Sequence, residues 1–293
     1  MNKNSYLIVK KTIRRLAVSE IQKEQTLEEK WENATIANNF IFYKVMRNNP
    51  AVCKELLEIL LEFEIEEIQM SQEEEIGIDF GSKGIRMDVY VKDGDGQKVY
   101  NIELQTTNTG ELAERARYYQ GVIDVDLLKS GQKYKALKTS FIIFICIDDI
   151  FKQGLAKYTF EHLCLEDKKT KLGDRAQKLF FISKNCDKLL DEKQKAFLRL
   201  LTSNSSSNDF TEKIMRLVAD AKRNTQWRKQ YMEWEREKVY EYDRGREEGS
   251  KQTAIENAKN LYANGVSVEI IAKSLGMTEE QVKEIVSGVE ATA

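Results

Sequence analysis

The sequence predicts an α/β fold, a mixed central sheet flanked by helices, followed by an all-α C-terminal region. Three observations predict it. From Trp31 to about Cys164, stretches with helical apolar spacing alternate with stretches of strand spacing. Phe141-Ile-Ile-Phe-Ile-Cys-Ile147 is an unbroken apolar run, the pattern of a strand covered on both faces. Past a polar hinge at residues 203–208, only helical patterns follow.

In order along the chain, residues 1–30 are polar and charged and form an arm or first helix. Ile36, Phe40, Tyr43 and Val45 make one helical stripe. Pro50 then opens a second helix through Leu61, because its missing N–H would have no partner in a first turn anyway. Strands are expected at 65–69, 85–91 and 99–105, a long helix over 111–129, and the buried strand over 141–147. A short strand around Phe180 and a helix over 189–201 complete this part. Residues 212–248 read as one long charged helix whose apolar face carries Trp227, Tyr231, Trp234 and Val239, suited either to lying on its own core or to forming a dimer arm. Residues 254–263, 268–272 and 279–286 outline a helix-turn-helix with Ser267 and Thr278 as N-caps. Two lysines and five glutamates between Asn264 and Ala293 leave that module at net −3, which argues against a DNA-reading helix there. The expected domains are an arm (1–30), an α/β domain (31–202), a charged helical linker or dimer arm (203–250) and a small helical module (251–293).

Composition narrows the chemistry. With 293 residues and 41% hydrophobic content, the chain can bury one large core plus an appendage. No apolar run approaches the ~20 residues needed to cross a bilayer, and residues 1–15 lack the apolar core of a secretory signal, so a cytoplasmic protein without a membrane partner is expected. Cys53, Cys146, Cys164 and Cys186 have no CxxC spacing and no paired histidine, and read as reduced packing residues. His162 is the single histidine, which nearly excludes Ser-His-Asp, Cys-His and multi-histidine metal sites. The sequence has no GxxxxGK[ST] or GxGxxG phosphate cradle. Carboxylate chemistry remains. The net charge of −2 balances 46 basic against 48 acidic residues, so any surface for nucleic acid has to be local.

The carboxylates that stand out lie on two neighbouring strands. Alternation puts Val89 and Val91 on one face and Arg86, Asp88 and Tyr90 on the other; on the next strand Tyr100, Ile102 and Leu104 oppose Asn101, Glu103 and Gln105. If Asp95-Gly96 is a two-residue type I′ turn, paired residue numbers sum to 191, which sets Asp88 opposite Glu103 and Arg86 opposite Gln105. Carboxylates so placed repel, with β-carbons about 5 Å apart. A divalent cation such as Mg²⁺ or Mn²⁺ would neutralise them and activate water beside a phosphodiester. The plainer alternatives are that Arg86 alone compensates the pair, or that the register slips and the two never meet.

Arg86-Met-Asp88-Val with Asn101-Ile-Glu103-Leu-Gln105 resembles the D…ExQ core of the recombination-promoting nuclease and transposase family, a branch of the PD-(D/E)xK nucleases. Asn38-Asn-Phe-Ile-Phe-Tyr-Lys-Val45 is similar to its NDxxFKxL helix and Glu114-Arg-Ala-Arg-Tyr-Tyr119 to its KRAxYY helix. Residues 137–146 are similar to the strand that follows. Weaker likeness continues at Tyr158-Thr-Phe160 and residues 245–249, so that roughly half the chain is covered in order. The resemblance implies a restriction-endonuclease-like core and metal-dependent DNA endonuclease activity. It implies catalytic roles for Asp88, Glu103 and Gln105, and metal ligation by Asp88, Glu103 and the Leu104 carbonyl. Arg86, Arg115, Tyr119, Gln120 and Asn39 would support the site or the DNA. Tyr118 and Tyr119 equally suit packing against the sheet, and Arg115 a solvated helix charge. Two departures bear on activity: Gln105 stands where the wider superfamily has lysine, and Asn39 where relatives commonly have aspartate.

Overall fold

The computed structural model describes residues 25–70, 75–76, 85–86 and 88–288, in two compact units, Met1–Arg228 and Lys229–Ala293. Residues 1–24, where most of an N-terminal arm was expected, and Met87 lie outside the described residues.

The described part of the first unit opens with three helices, two of them started by a side-chain cap. Helix α1 (Leu27–Asn33) opens on a capping box, Thr26 with Glu29. Helix α2 (Asn39–Asn48) opens where the Asn38 side chain accepts from the N–H groups of Phe40 and Ile41. Helix α3 (Pro50–Leu61) starts at the proline and ends at Glu62, which takes the left-handed conformation (φ 63°). Strands β1 (Ile68–Met70), β4 (Val89–Asp93), β5 (Lys98–Gln105), β6 (Thr139–Cys146), β7 (Lys157–Phe160) and β8 (Ala176–Ile182) form one sheet in the order β1-β4-β5-β6-β8-β7. The pairs β1/β4, β4/β5 and β7/β8 are antiparallel, and β5/β6 and β6/β8 parallel, so the sheet is mixed as expected. Helix α4 (Leu112–Leu127) supplies the crossover between the parallel strands β5 and β6.

The sheet is covered on both sides. Leu112, Ala116, Tyr119 and Ile123, at helical spacing on α4, pack on Ile142, Phe144 and Cys146 of β6 and on Phe180 and Ile182 of β8. Tyr100 and Phe141 stack at 5.3 Å, and α2 lies against β4 and β5. Helices α5 (Glu192–Ser203) and α6 (Asp209–Arg223) extend the helical layer, α6 packing on both α2 and α5.

Three expectations are corrected, and one strand was not foreseen. The strand expected over 85–91 is two pieces: Ile85–Arg86 (β3) pairs with Glu75–Ile76 (β2) as a separate two-stranded ribbon, and β4 begins only at Val89. The turn is not type I′, which needs positive φ at both central residues; Gly96 has it (φ 64°) and Asp95 does not. Instead the Gly96 N–H bonds the Asp93 carbonyl, and the Asp93 side chain accepts from the Lys98 N–H at 2.8 Å, doing the job of a ladder bond. The helix expected over 212–248 breaks at Asn224, whose side chain accepts from the Trp227 N–H and so starts a new helix, α7 (Thr225–Ala263). Strand β7 went unforeseen because four residues, of which only Tyr158 is buried, give little pattern.

In the second unit, α8 (Val268–Leu275) and α9 (Glu279–Val286) close a small core of Ala258, Ile271, Ala272, Val282 and Val286. Thr278 forms a capping box with Gln281, whereas Ser267 stands at the N-cap of α8 without a side-chain cap bond. No described helix is long and apolar enough to cross a membrane.

Candidate active site

The β4/β5 ladder pairs Val89 with Ile102, Tyr90 with Asn101, Val91 with Tyr100 and Lys92 with Val99, each pair summing to 191. One further step would bring Asp88 opposite Glu103. There the backbone ladder gives way to side chains: the Asp88 N–H donates to Glu103 Oε1 (3.1 Å), and the Leu104 N–H donates to Asp88 Oδ2 (3.0 Å). Each carboxylate is thus held by the backbone of the other's strand. β4 begins only at Val89, no described strand residue bonds the Leu104 carbonyl on this side, and the Asn39 amide donates to it from α2 at 3.1 Å.

Period-two alternation brings Asn101, Glu103 and Gln105 to the face of β5 that α4 covers. Glu103 is only 2% exposed. Asn101 Nδ2 donates to its Oε1 at 3.3 Å, and Arg115 Nη2 donates to its Oε2 at 2.8 Å. The same guanidinium reaches Gln105 Oε1 through Nη1 at 3.1 Å. The Arg115 guanidinium contacts two aromatic rings, 5.3 Å from the centre of Tyr119 and 5.5 Å from that of Phe144, and Tyr119 and Phe144 themselves stack at 6.4 Å. Arg115 and Tyr119, one helical turn apart, therefore share the site-facing side of α4. Tyr118 sits at the helix surface, 37% exposed.

Burial, and then the negative charge of Asp88, push the Glu103 carboxyl well above the usual carboxylate range, against the opposing pull of Arg115. Burial, and then the charge of Glu103, raise Tyr119 to about 12. Cys146, in the same layer, is pushed by burial to about 12 and is a packing thiol.

The oxygen donors of this region are the Asp88 and Glu103 carboxylates, linked through the backbone N–H groups of Asp88 and Leu104, and the Leu104 carbonyl, hard donors of the kind that suit Mg²⁺ or Mn²⁺. Glu103 Oε1 already accepts from both the Asp88 N–H and Asn101, whereas Oε2 accepts from Arg115 and keeps a second lone pair. Among the described residues no three His, Cys, Asp or Glu side chains cluster, so a third protein ligand would come from the Leu104 carbonyl.

The chain matches the family described as PD-(D/E)XK nuclease family transposase over residues 38–255. It belongs to this family. The PD-(D/E)XK match begins at Asn38, the N-cap of α2, and so takes in Asn39, Asp88, Glu103, Gln105, Arg115 and Tyr119, the residues that the fold brings together. The mixed sheet with flanking helices accords with the PD-(D/E)XK nuclease fold. No curated protein and no solved structure matched the chain.

Two expectations about the PD-(D/E)XK site are revised. The backbone of Arg86 pairs with that of Glu75 in the β2/β3 ribbon, not with Gln105, because β4 begins only at Val89. Gln120, one residue beyond Tyr119, is turned away by the 100° step of the helix: it accepts from Ser140 Oγ (2.9 Å) and donates to Asp124 (3.0 Å). Asn101 was visible in the sequence only as a residue of the right parity; its contact with Glu103 makes it part of the site.

Proposed function

We propose that this chain is a metal-dependent DNA endonuclease that hydrolyses phosphodiester bonds, with Mg²⁺ or Mn²⁺ held by Asp88, Glu103 and the Leu104 carbonyl. The observation that carries the reading is the reciprocal hold of the two acids, each on the other strand's backbone N–H, which fixes both carboxylates before any ion arrives. Membership of a nuclease family supports it. A divalent ion bound there supplies Lewis acidity at the phosphoryl oxygen and lowers the pKa of a bound water.

The chain's own groups divide the remaining work. Gln105 can orient the attacking water by hydrogen bonding but carries no charge. Arg115, which bridges Gln105 and Glu103, supplies the fixed positive charge that a lysine at position 105 would have given. Tyr119 supports Arg115 from below through its ring face. In the reaction water oxygen bonds to phosphorus, one ester P–O bond breaks, and the leaving oxygen takes a proton. The partners in this reading are DNA and a second copy of the chain, joined along the exposed stretch 236–250 of α7 that carries Val239, Tyr240 and Tyr242. The biological setting would be recombination, movement of a mobile element or defence.

A second reading, a nuclease-fold protein that binds DNA or dimerises with little catalysis, draws on one observation: Arg115 already occupies Glu103, and Asn39 already occupies the Leu104 carbonyl. A plasmid-nicking assay with Mg²⁺ or Mn²⁺ separates the two. Wild type is expected to cut, while Asp88→Ala and Glu103→Ala fold but do not. Failure of wild type under both metals favours the second reading, and equal cutting by all three proteins refutes the site.

A further inference from the structure

Between α4 and β6 the chain forms a turn whose composition is unlike its surroundings. Residues 129–138 carry Lys129, Lys133, Lys135 and Lys138 and no acidic residue. Tyr134, at the tip, opens a short 3-10 helix (Tyr134–Ala136) and is 83% exposed. Lys133 and Lys135, on either side, are exposed as well, and neither forms an ion pair with a described residue.

The turn is held in place from outside. Arg175 Nη2 donates to the carbonyls of Lys135 (3.1 Å) and Leu137 (2.7 Å). Arg175 does this from a left-handed backbone conformation (φ 60°) that is costly for a residue with a side chain, while its own carbonyl accepts from Ser140 at the start of β6. Folding gains almost nothing from a tyrosine ring left in water, yet the backbone beneath it is fixed. An aromatic face between two unpaired lysines on a preorganised turn has the chemistry of a single-strand nucleic-acid contact: the ring stacks on an unpaired base and the ammonium groups meet the flanking phosphates.

We infer that the Lys133-Tyr134-Lys135 turn binds single-stranded nucleic acid. The turn lies by the N-terminal ends of β5 and β6, where the Thr139 N–H bonds the Gln97 carbonyl. Glu103 is about 17 Å further along β5, so this contact is remote from the proposed cutting site. Nucleic acid as the partner rests on the nuclease reading; the turn's own geometry gives the preference for an unpaired strand.

The test is fluorescence anisotropy on the full chain in EDTA, with a labelled oligo-dT and a duplex of equal length, so that nothing is cut. Tyr134→Ala is expected to weaken oligo-dT binding about tenfold or more while leaving duplex affinity within about twofold, and Tyr134→Phe to keep wild-type affinity. Lys133→Ala with Lys135→Ala is expected to lower the slope of log affinity against log salt on oligo-dT by about 1.4. Absence of oligo-dT binding by wild type, an unchanged affinity in Tyr134→Ala, or equal losses on both substrates would overturn the inference. Cutting is scored separately in the plasmid assay: metal-dependent cleavage together with unchanged oligo-dT affinity in Tyr134→Ala sinks this turn alone, and a Tyr134-dependent loss of oligo-dT binding without cleavage sinks only the nuclease reading.

Discussion

Asn39→Asp tests where the ion binds by moving stability and metal affinity in opposite directions. The Asn39 amide donates to the Leu104 carbonyl at 3.1 Å from a half-buried position. Aspartate cannot donate, and it sets a carboxylate oxygen against a carbonyl oxygen that no described strand residue satisfies on this side. Losing the bond and stranding the acceptor costs about 1–3 kcal/mol in the metal-free protein. With a divalent ion present the new carboxylate becomes a third hard ligand, and a tenfold gain in affinity is worth about 1.4 kcal/mol. At a metal concentration of about 100 times the wild-type Kd, linkage stabilises wild type by about 2.7 kcal/mol and such a variant by about 4.1 kcal/mol. The variant therefore begins below wild type and regains about half or more of a mid-range deficit when metal is added. Isothermal titration calorimetry with Mg²⁺ and Mn²⁺ gives the affinities, and thermal unfolding with and without metal gives the stabilities. The reasoning fails if Asn39→Asp binds metal no more tightly than wild type, or if its deficit in Tm is the same with and without the ion.

Two further outcomes follow from the raised Glu103 carboxyl. Its folded pKa lies above its unfolded value, so the metal-free folded state binds more protons, and stability falls as pH rises from the unfolded pKa through the folded one. Arg115 opposes that shift; Arg115→Met should therefore destabilise by about 1–3 kcal/mol at pH 8, discounted for the 30% exposure of the arginine, and by clearly less at pH 5. Unfolding of both proteins across that range checks it, and a deficit independent of pH would refute the coupling. Separately, metal must displace the proton that burial keeps on Glu103, so Mg²⁺ binding should release close to one proton near pH 7. Calorimetry in buffers of different ionisation enthalpy measures the number, and zero release would count against Glu103 as a ligand.

What could be read from the sequence, and what could not, divides along the range of the interactions. Parity on β5 placed Asn101, Glu103 and Gln105 on one face, because alternation is a property of the strand alone. The register survived a wrong turn type: Asp93 substitutes its carboxylate for the missing backbone bond to Lys98, so a longer turn reaches the same pairing. Arg115 and Tyr119 were legible as neighbours on a helix, but that Arg115 would reach both Glu103 and Gln105 depends on how α4 crosses β5, which no local spacing encodes. Asn39 lies 65 residues before Leu104, and only the packing of α2 on the sheet joins them. The strand break before Val89 was hidden because apolar alternation runs unbroken from Ile85 to Val91. That break is what makes the site. Had β4 continued, backbone partners would have taken the Leu104 N–H and carbonyl, leaving Asp88 nothing to hold and Asn39 nothing to reach. Ending the ladder one residue short of Glu103 exchanges ladder bonds for a carboxyl acceptor on each strand, Glu103 for the Asp88 N–H and Asp88 for the Leu104 N–H, and it leaves the Leu104 carbonyl to Asn39. A local loss of sheet thereby turns both acids onto backbone groups that a continuous ladder would have used, which is the feature the proposed cation site draws on.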